Sequence, residues 1–383
     1  MGMLAGLLGL LIVLPRVNYA MWRTQLVLNE IPWLTTLLGF TAGLSRRVSG
    51  TGRSFGLVGG LLAMVPLTRV QRARRDMDTE IARGLGADYL QAIPAAQRDC
   101  LPQRPADWLR SAGDARHKGV QVLRDIVYED TVLRPLLLDV YLPPEAGSAP
   151  RPAVIVMHGG GWYRGDKGGF FVSHNRHLAA QGYVVFDVQY RFTSVDGAAW
   201  PAQLDDLRAA IRWVKANAGS YQVDPERLVL YGRSSGGQLA LRAAYDARGD
   251  HADTAVCGVV TAYAPIDLRY TAWGYDARVV RFLGGRGDEV PERYDDASPM
   301  DFARDDLPPT LLMHGFMDTL VSPLHAENLK NKLRLTNTPV VLLRVPWGRH
   351  GFDAVMPGIG AQLTQVYVDR FLAWCFYRSN ENG

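Results

Sequence analysis

Hydrophobic and polar positions follow three different rhythms along the 383 residues of this chain. The first 68 residues hold three charge-poor apolar runs: Met1 to Pro15, Thr24 to Ser45 broken only by Glu30, and Ser54 to Thr68. Each predicts an apolar helix, and each is short against the roughly 20 residues needed to cross a hydrocarbon core. From about Val70 to His117 the pattern turns polar and helix-permissive, with prolines at 94, 102 and 105. It reads as a connecting region.

From Gly119 onward, short β-branched runs alternate with stretches of helical period, the signature of an α/β fold with a mostly parallel central sheet flanked by helices. Strands are expected at Val120–Tyr128, Leu136–Leu142, Ala153–His158, Tyr183–Tyr190, Leu228–Tyr231, Val256–Tyr263, Thr310–His314 and Val340–Val345. Between the fourth and fifth, Pro201 to Ala218 sets Leu204, Leu207, Ile211 and Val214 on one helical face, so a helix should cover the sheet there. The expected division is an apolar helical segment over 1–68, a connecting region over 69–118 and a catalytic domain over 119–383.

Charge sharpens this division. Residues 1 to 80 carry nine arginines against four acids, and the rest of the chain sums to −1 out of a total of +4. A near-neutral body gives no reason to expect nucleic acid, whereas an arginine-studded apolar segment suggests a membrane surface. The first run lacks a positive charge ahead of it, and Arg16 and Arg23 follow it, so a retained anchor is expected over a cleaved signal. Arginines follow every run, which favours partial insertion, a re-entrant hairpin or fewer crossings over three full crossings. The alternative is a soluble cytoplasmic enzyme whose N-terminal helices cap its site. Cys100, Cys257 and Cys375 lie far apart, and the pair His174 and His177 has no third ligand nearby, so neither a disulfide framework nor a metal site is expected.

Candidate chemistry sits in the α/β part. A predicted strand runs into Gly232-Arg233-Ser234-Ser235-Gly236 and then a helix. Small residues two before and two after a serine permit a strand-to-helix turn tight enough to lift its Oγ above a sheet, and the Ser235 amide can then face the oxyanion formed on attack. Seventy-six residues upstream, His158-Gly159-Gly160-Gly161-Trp162 ends the strand AVIVM. Its unshielded amides supply the other half of an oxyanion hole, with Gly160 and Gly161 as the expected donors and Gly159 next. His158 is expected to bond within that loop.

An acid and then a histidine should follow the serine. Asp318 lies just past the strand PTLLMHG, and His350 follows the strand PVVLLRV. Asp301, Asp305, Asp306 and Asp353 compete as the acid, and His314 and His325 as the base. All three preferred residues fall at C-terminal strand ends, where α/β folds gather reactive groups. His350 would take the Ser234 proton, Asp318 would orient the ring, and water would cleave an acyl-enzyme; no cofactor is called for.

With HGGGW, YRF at 190–192, DDLRAAIRWVKANA, GRSSGG, HGFMDTLV and HGF in one order, residues 119–378 resemble the hormone-sensitive-lipase-like branch of α/β hydrolases, which includes carboxylesterases and acetyl esterases. The resemblance implies a serine ester hydrolase with the same Ser234, Asp318, His350, Gly160 and Gly161, acting on short- to medium-chain or lipid-like esters. Ser235 departs from the alanine more usual in the family. Trp162 and Tyr163 are expected to contact substrate; Tyr270, Trp273, Tyr275 and Phe282 either wall a pocket or pack. Two rival functions stay open, an amide hydrolase with the same triad and a non-catalytic ligand-binding α/β hydrolase.

Overall fold

The computed structural model describes residues 1–14, 19–102, 119–144, 149–197, 199–247, 249–270 and 276–378. It opens with helices α1 (Gly2–Val13), α2 (Tyr19–Glu30), α3 (Pro32–Leu44), α4 (Gly50–Ala63), α5 (Val65–Leu85) and the short α6 (Ala95–Arg98). The second apolar run is thus two helices, because Pro32 sits at the first turn of a new one and starts it.

Helices α1, α3 and α4 form a bundle whose contacts run through glycine. A Cβ at Gly9 would stand 2.2 Å from the Gly59 carbonyl oxygen, and one at Gly39 would stand 2.6 Å from that of Gly56. Only backbone meeting backbone allows so close an approach, the small-residue packing typical of apolar helices. The larger side chains point outward, so Leu4, Leu7, Leu37, Leu44, Phe55 and Leu61 are exposed. Helix α5 is different in kind. It begins at Val65, inside the third apolar run, and passes residue 68, where the apolar segment was expected to end; Ala73, Met77 and Ile81 bury one stripe of it against the α/β body. Lys330 Nζ donates to Glu80 at 2.5 Å and Tyr367 Oη to Asp78 at 2.9 Å, fixing it there. The polar connecting stretch therefore begins as a packed helix.

The α/β body is one sheet of β1 (Gln121–Asp130), β2 (Pro135–Leu142), β3 (Arg151–Met157), β4 (Val184–Val188), β5 (Val223–Arg233), β6 (Gly258–Ala262), β7 (Thr310–Gly315) and β8 (Val340–Val345). The order is β1-β2-β4-β3-β5-β6-β7-β8. Only the β1–β2 and β2–β4 pairings are antiparallel. Every expected strand is present, and the helix read at Pro201–Ala218 spans Ala202–Ala216. Alternate residues feed two cores, Ile155 and Leu230 on one face and Val154, Val156 and Tyr231 on the other. The remaining helices are α7 (Val172–Ala180), α8 (Ala202–Ala216), α9 (Ser235–Tyr245), α10 (Ala277–Leu283), α11 (Pro291–Ala297), α12 (Leu324–Leu333) and α13 (Ile359–Tyr377). Helices α8, α9 and α12 cover the first face; α7, α13 and α5 cover the second. With both faces covered, the parallel strands carry nearly continuous apolar runs, whereas the antiparallel edge strand β1 is largely exposed.

Candidate active site

The parallel strands β3, β5, β7 and β8 end on the same edge of the sheet, and each passes directly into a loop that carries a candidate residue. After β5, Ser234 adopts φ 54°, ψ −122°, and α9 begins at the next residue. The neighbouring glycines make that turn possible. A Cβ at Gly232 would lie 2.2 Å from the Gly236 carbonyl oxygen, and one at Gly236 would lie 2.5 Å from the Met157 and His158 oxygens. A hydrogen bond from the Ser234 amide to Ala262 O at 2.9 Å holds the strained residue in place.

Ser234 Oγ is 2.9 Å from His350 Nε2, and His350 Nδ1 is 2.7 Å from Asp318 Oδ2. The other Asp318 oxygen accepts from the amides of Leu320 at 2.8 Å and Val321 at 3.0 Å. Burial by itself would raise the Asp318 pKa. The facing rings of His350 and His314 outweigh burial and hold the carboxyl well below the ordinary range. His314 lies 3.4 Å from Asp318 and donates through Nε2 to Val321 O at 3.1 Å, so it braces the acid loop and stays away from Ser234. His325 also stays away. It accepts the amides of Ile266 and Asp267 on Nδ1, and burial pushes its pKa down to about 4.

The glycine loop after β3 lies over Ser234. Neither the Gly160 amide nor the Ser235 amide donates a hydrogen bond within the described residues. The Gly161 amide, expected to be free as well, donates to Ser235 Oγ at 3.0 Å. The Ser235 hydroxyl therefore ties the Ser234 turn to the glycine loop, a link an alanine could not make. His158 Nδ1 donates to Gly159 O at 2.9 Å and its ring stacks on Tyr190, as expected of a residue that shapes the loop.

Asp353, weighed above as a competing acid, has a different partner. Its Oδ2 accepts from Arg233 Nε at 2.7 Å and its Oδ1 from the Tyr263 hydroxyl at 2.6 Å. The Arg233 guanidinium lies over the rings of Phe171 and Tyr231, and both members of the ion pair are 1% exposed. This pair joins the residue before Ser234 to the loop of His350. Periodicity gives no sign of a pairing across 120 residues.

A cavity of about 540 Å³ opens over Ser234 and His350, a size suited to a small organic ligand. Tyr163 and Tyr270 line it, and so do Trp22, Leu26 and Val27 of α2. Trp162 runs along the wall, but its side chain is spent elsewhere. At φ 61° the indole turns into the core, stacks on Phe282 at 4.2 Å and donates to Gln238 Oε1 at 2.9 Å, whereas its neighbour Tyr163 lines the cavity. Phe282 is accordingly core. Trp273 and Tyr275 lie outside the described residues. The contribution of α2 was not foreseen, because nothing in an apolar run shows which later loop it will face.

This geometry can be set beside known proteins. The model of the BD-FAE family matches residues 138–333, slightly more than half of the chain. The chain belongs to the BD-FAE family. Among relatives of this BD-FAE protein is the probable carboxylic ester hydrolase LipM of Mycobacterium tuberculosis, 28% identical over 379 residues, 92% of this chain and 86% of that one. The esterase LipC of the same organism is 30% identical over 255 residues, 63% of this chain and 62% of its own. Residues 119–383 make up about 70% of the chain, so the LipM alignment takes in most of the N-terminal helices. Among solved structures, esterase 2 of Thermogutta terrifontis superposes with a TM-score of 0.57 at 23% identity, over 70% of this chain and 96% of that one. A truncated carbohydrate esterase from gut microbiota gives 0.54 at 24%, over 66% and 96%. These two establish the α/β-hydrolase fold of the BD-FAE chain.

Proposed function

We propose that this protein is a serine carboxylic ester hydrolase in which Ser234 attacks the ester carbonyl. The observation that carries the reading is the unbroken line from Ser234 Oγ through His350 to Asp318, at 2.9 and 2.7 Å, beneath two unengaged amides. His350 Nε2 takes the Ser234 proton as the C–O bond forms. The amides of Gly160 and Ser235 hold the oxyanion, while Gly161 braces the turn through Ser235 Oγ. Collapse of the tetrahedral intermediate expels the alcohol, which leaves with the proton from His350. Water activated by the same ring then hydrolyses the acyl-enzyme. The names of LipM and LipC favour ester over amide hydrolysis, and the apolar wall of Trp22, Leu26 and Val27 favours an acyl chain over a sugar.

The test is a ladder of nitrophenyl esters from acetate to palmitate, run beside matched amides and covalent labelling with a fluorophosphonate. Turnover of esters above amides, with label on Ser234, is expected. Label without turnover would leave a hydrolase of other substrates, and neither would favour a non-catalytic binding protein.

The reading extends to lipid as a second partner. Helix α1 directs its C-terminus at the catalytic body, so its N-terminus, the α3–α4 turn bearing Arg46 and Arg47, and Arg53 in the first turn of α4 lie at the far end. The apolar outer faces between them suit acyl chains, and the arginines suit anionic head groups. A 12-residue α1 is about 18 Å long against a core of about 30 Å, so an upright bundle would leave these arginines in hydrocarbon; the bundle instead lies along the interface, although the helix over Gly50–Leu85 is by length and composition long and apolar enough to cross. In this view the apolar segment over 1–68 serves attachment and residues 119–383 catalysis. Co-flotation with phosphatidylglycerol vesicles is expected, and it should be lost in a Leu7→Asp, Leu61→Asp double variant. Wild-type protein remaining in the soluble fraction would return the bundle to the role of a cap.

A further inference from the structure

Arg349 immediately precedes His350 and is only 2% exposed. No carboxylate lies within ion-pair distance of it among the described residues, and its Nε has no partner there. Its Nη2 donates to Leu14 O at 2.5 Å and lies 3.5 Å from Ile12 O, both at the end of α1. The carbonyl end of a helix carries about half a negative charge. That end is the counter-charge for this guanidinium, assisted at longer range by Asp318. Gln25 Nε2 of α2 completes the cap, donating to Leu11 O at 3.2 Å and Leu14 O at 3.3 Å.

On its other side the histidine loop is tied to the acid loop, where the Met317 amide donates to Gly348 O at 2.9 Å. Behind His350, Gly351 is left-handed at φ 82° and packs beneath Trp22 and Leu26 of α2. Farther along, the Gly360 amide donates to Glu30 Oε2 at 2.7 Å. The segment bearing His350 is therefore clamped between the acid loop and the first two helices. A loop with only one of these supports would be free to carry the ring away from Ser234.

We propose that Arg349 is a positioning residue that seats His350 by holding its loop to the C-terminal carbonyls of α1, which makes the N-terminal helices a working part of the triad. The inference rests on the triad reading above. It implies that the seating of α1 and the reactivity of Ser234 are coupled, so a change imposed on either is felt at the other.

The test uses the full-length chain and nitrophenyl acetate, too short to depend on the acyl wall. Arg349→Met keeps the aliphatic stem and removes the donors; kcat is expected to fall about 10- to 100-fold through misplacement of the ring. KM should stay within about twofold, since ground-state binding is untouched. Arg349→Lys should restore a large part of kcat. Gln25→Leu, remote from the loop, should lower kcat by a smaller factor, and the double variant should lose less than the product of the two losses. Fluorophosphonate labelling of Ser234 should slow in step. Wild-type kcat in Arg349→Met, a loss confined to KM, or a lysine variant no better than the methionine would each overturn the proposal. If Arg349→Met does not fold, Gln25→Leu decides, and an unchanged kcat there overturns it. A wild-type chain that neither turns over nor labels sinks the triad reading instead.

Discussion

Asp318→Asn is expected to lower ester turnover by about 10⁴-fold while leaving the fold intact. The carboxylate meets two sets of donors. Its Oδ1 accepts the Leu320 and Val321 amides, and its Oδ2 accepts His350 Nδ1–H. An asparagine would keep its carbonyl oxygen on the two amides, because they can only donate, and would turn its NH₂ toward the ring. His350 Nδ1 must then accept, which moves the ring proton to Nε2, opposite Ser234 Oγ. A base already protonated on that nitrogen cannot take the serine proton. Steady-state kinetics on nitrophenyl acetate, with a thermal melt as control, measures this. A loss below about tenfold with an unchanged melt would show that Asp318 does not set the tautomer.

Asp353→Ala should cost stability on the order of 3–5 kcal/mol, a large share of the 5–15 kcal/mol that holds a typical protein folded. The cause is the partner left behind. Arg233 would remain buried against Phe171 and Tyr231 without its carboxylate, and the Tyr263 hydroxyl would lose its acceptor. A charge stranded in that setting recovers neither its water nor its partner. Urea unfolding should register the loss as a lower midpoint, and turnover should fall with it because Arg233 adjoins Ser234. Adding Arg233→Met should return much of the stability, since the stranded charge is removed together with the pair. A single-variant cost below about 1 kcal/mol would mean that the pair is not what joins the two loops.

The two predictions separate two kinds of acid that the sequence could not rank by residue type. Asp318 and Asp353 both belong to short loops near predicted strand ends, and both are deeply buried. One faces an imidazole ring, which can change its protonation, whereas the other faces a guanidinium, which does not. Chain order favoured Asp318 as the partner of the histidine; what Asp353 does became visible only from the side chain opposite it.

Much of this protein was legible in its sequence, for local physical reasons. A parallel strand buried on both faces must be apolar along its length, and a helix over a sheet must keep one apolar stripe, so the parallel strands β3 to β8 and the helix at Ala202–Ala216 left readable patterns. The turn around Ser234 is so tight that only glycine fits at 232 and 236, which writes this turn into the sequence as a motif. Other features depend on which surfaces meet. An apolar run announces a helix but not its neighbour, so the wall that α2 gives the pocket, and the α1 carbonyls that receive Arg349, were decided by tertiary packing alone. The same holds for Trp162, whose place beside the oxyanion loop suggested substrate until its positive φ turned the indole into the core. Spacing along the chain encodes what a backbone does within a few residues. Charge pairing across 120 residues, or a helix end set against a loop more than 300 residues away, costs nothing in local propensity and so leaves no local trace.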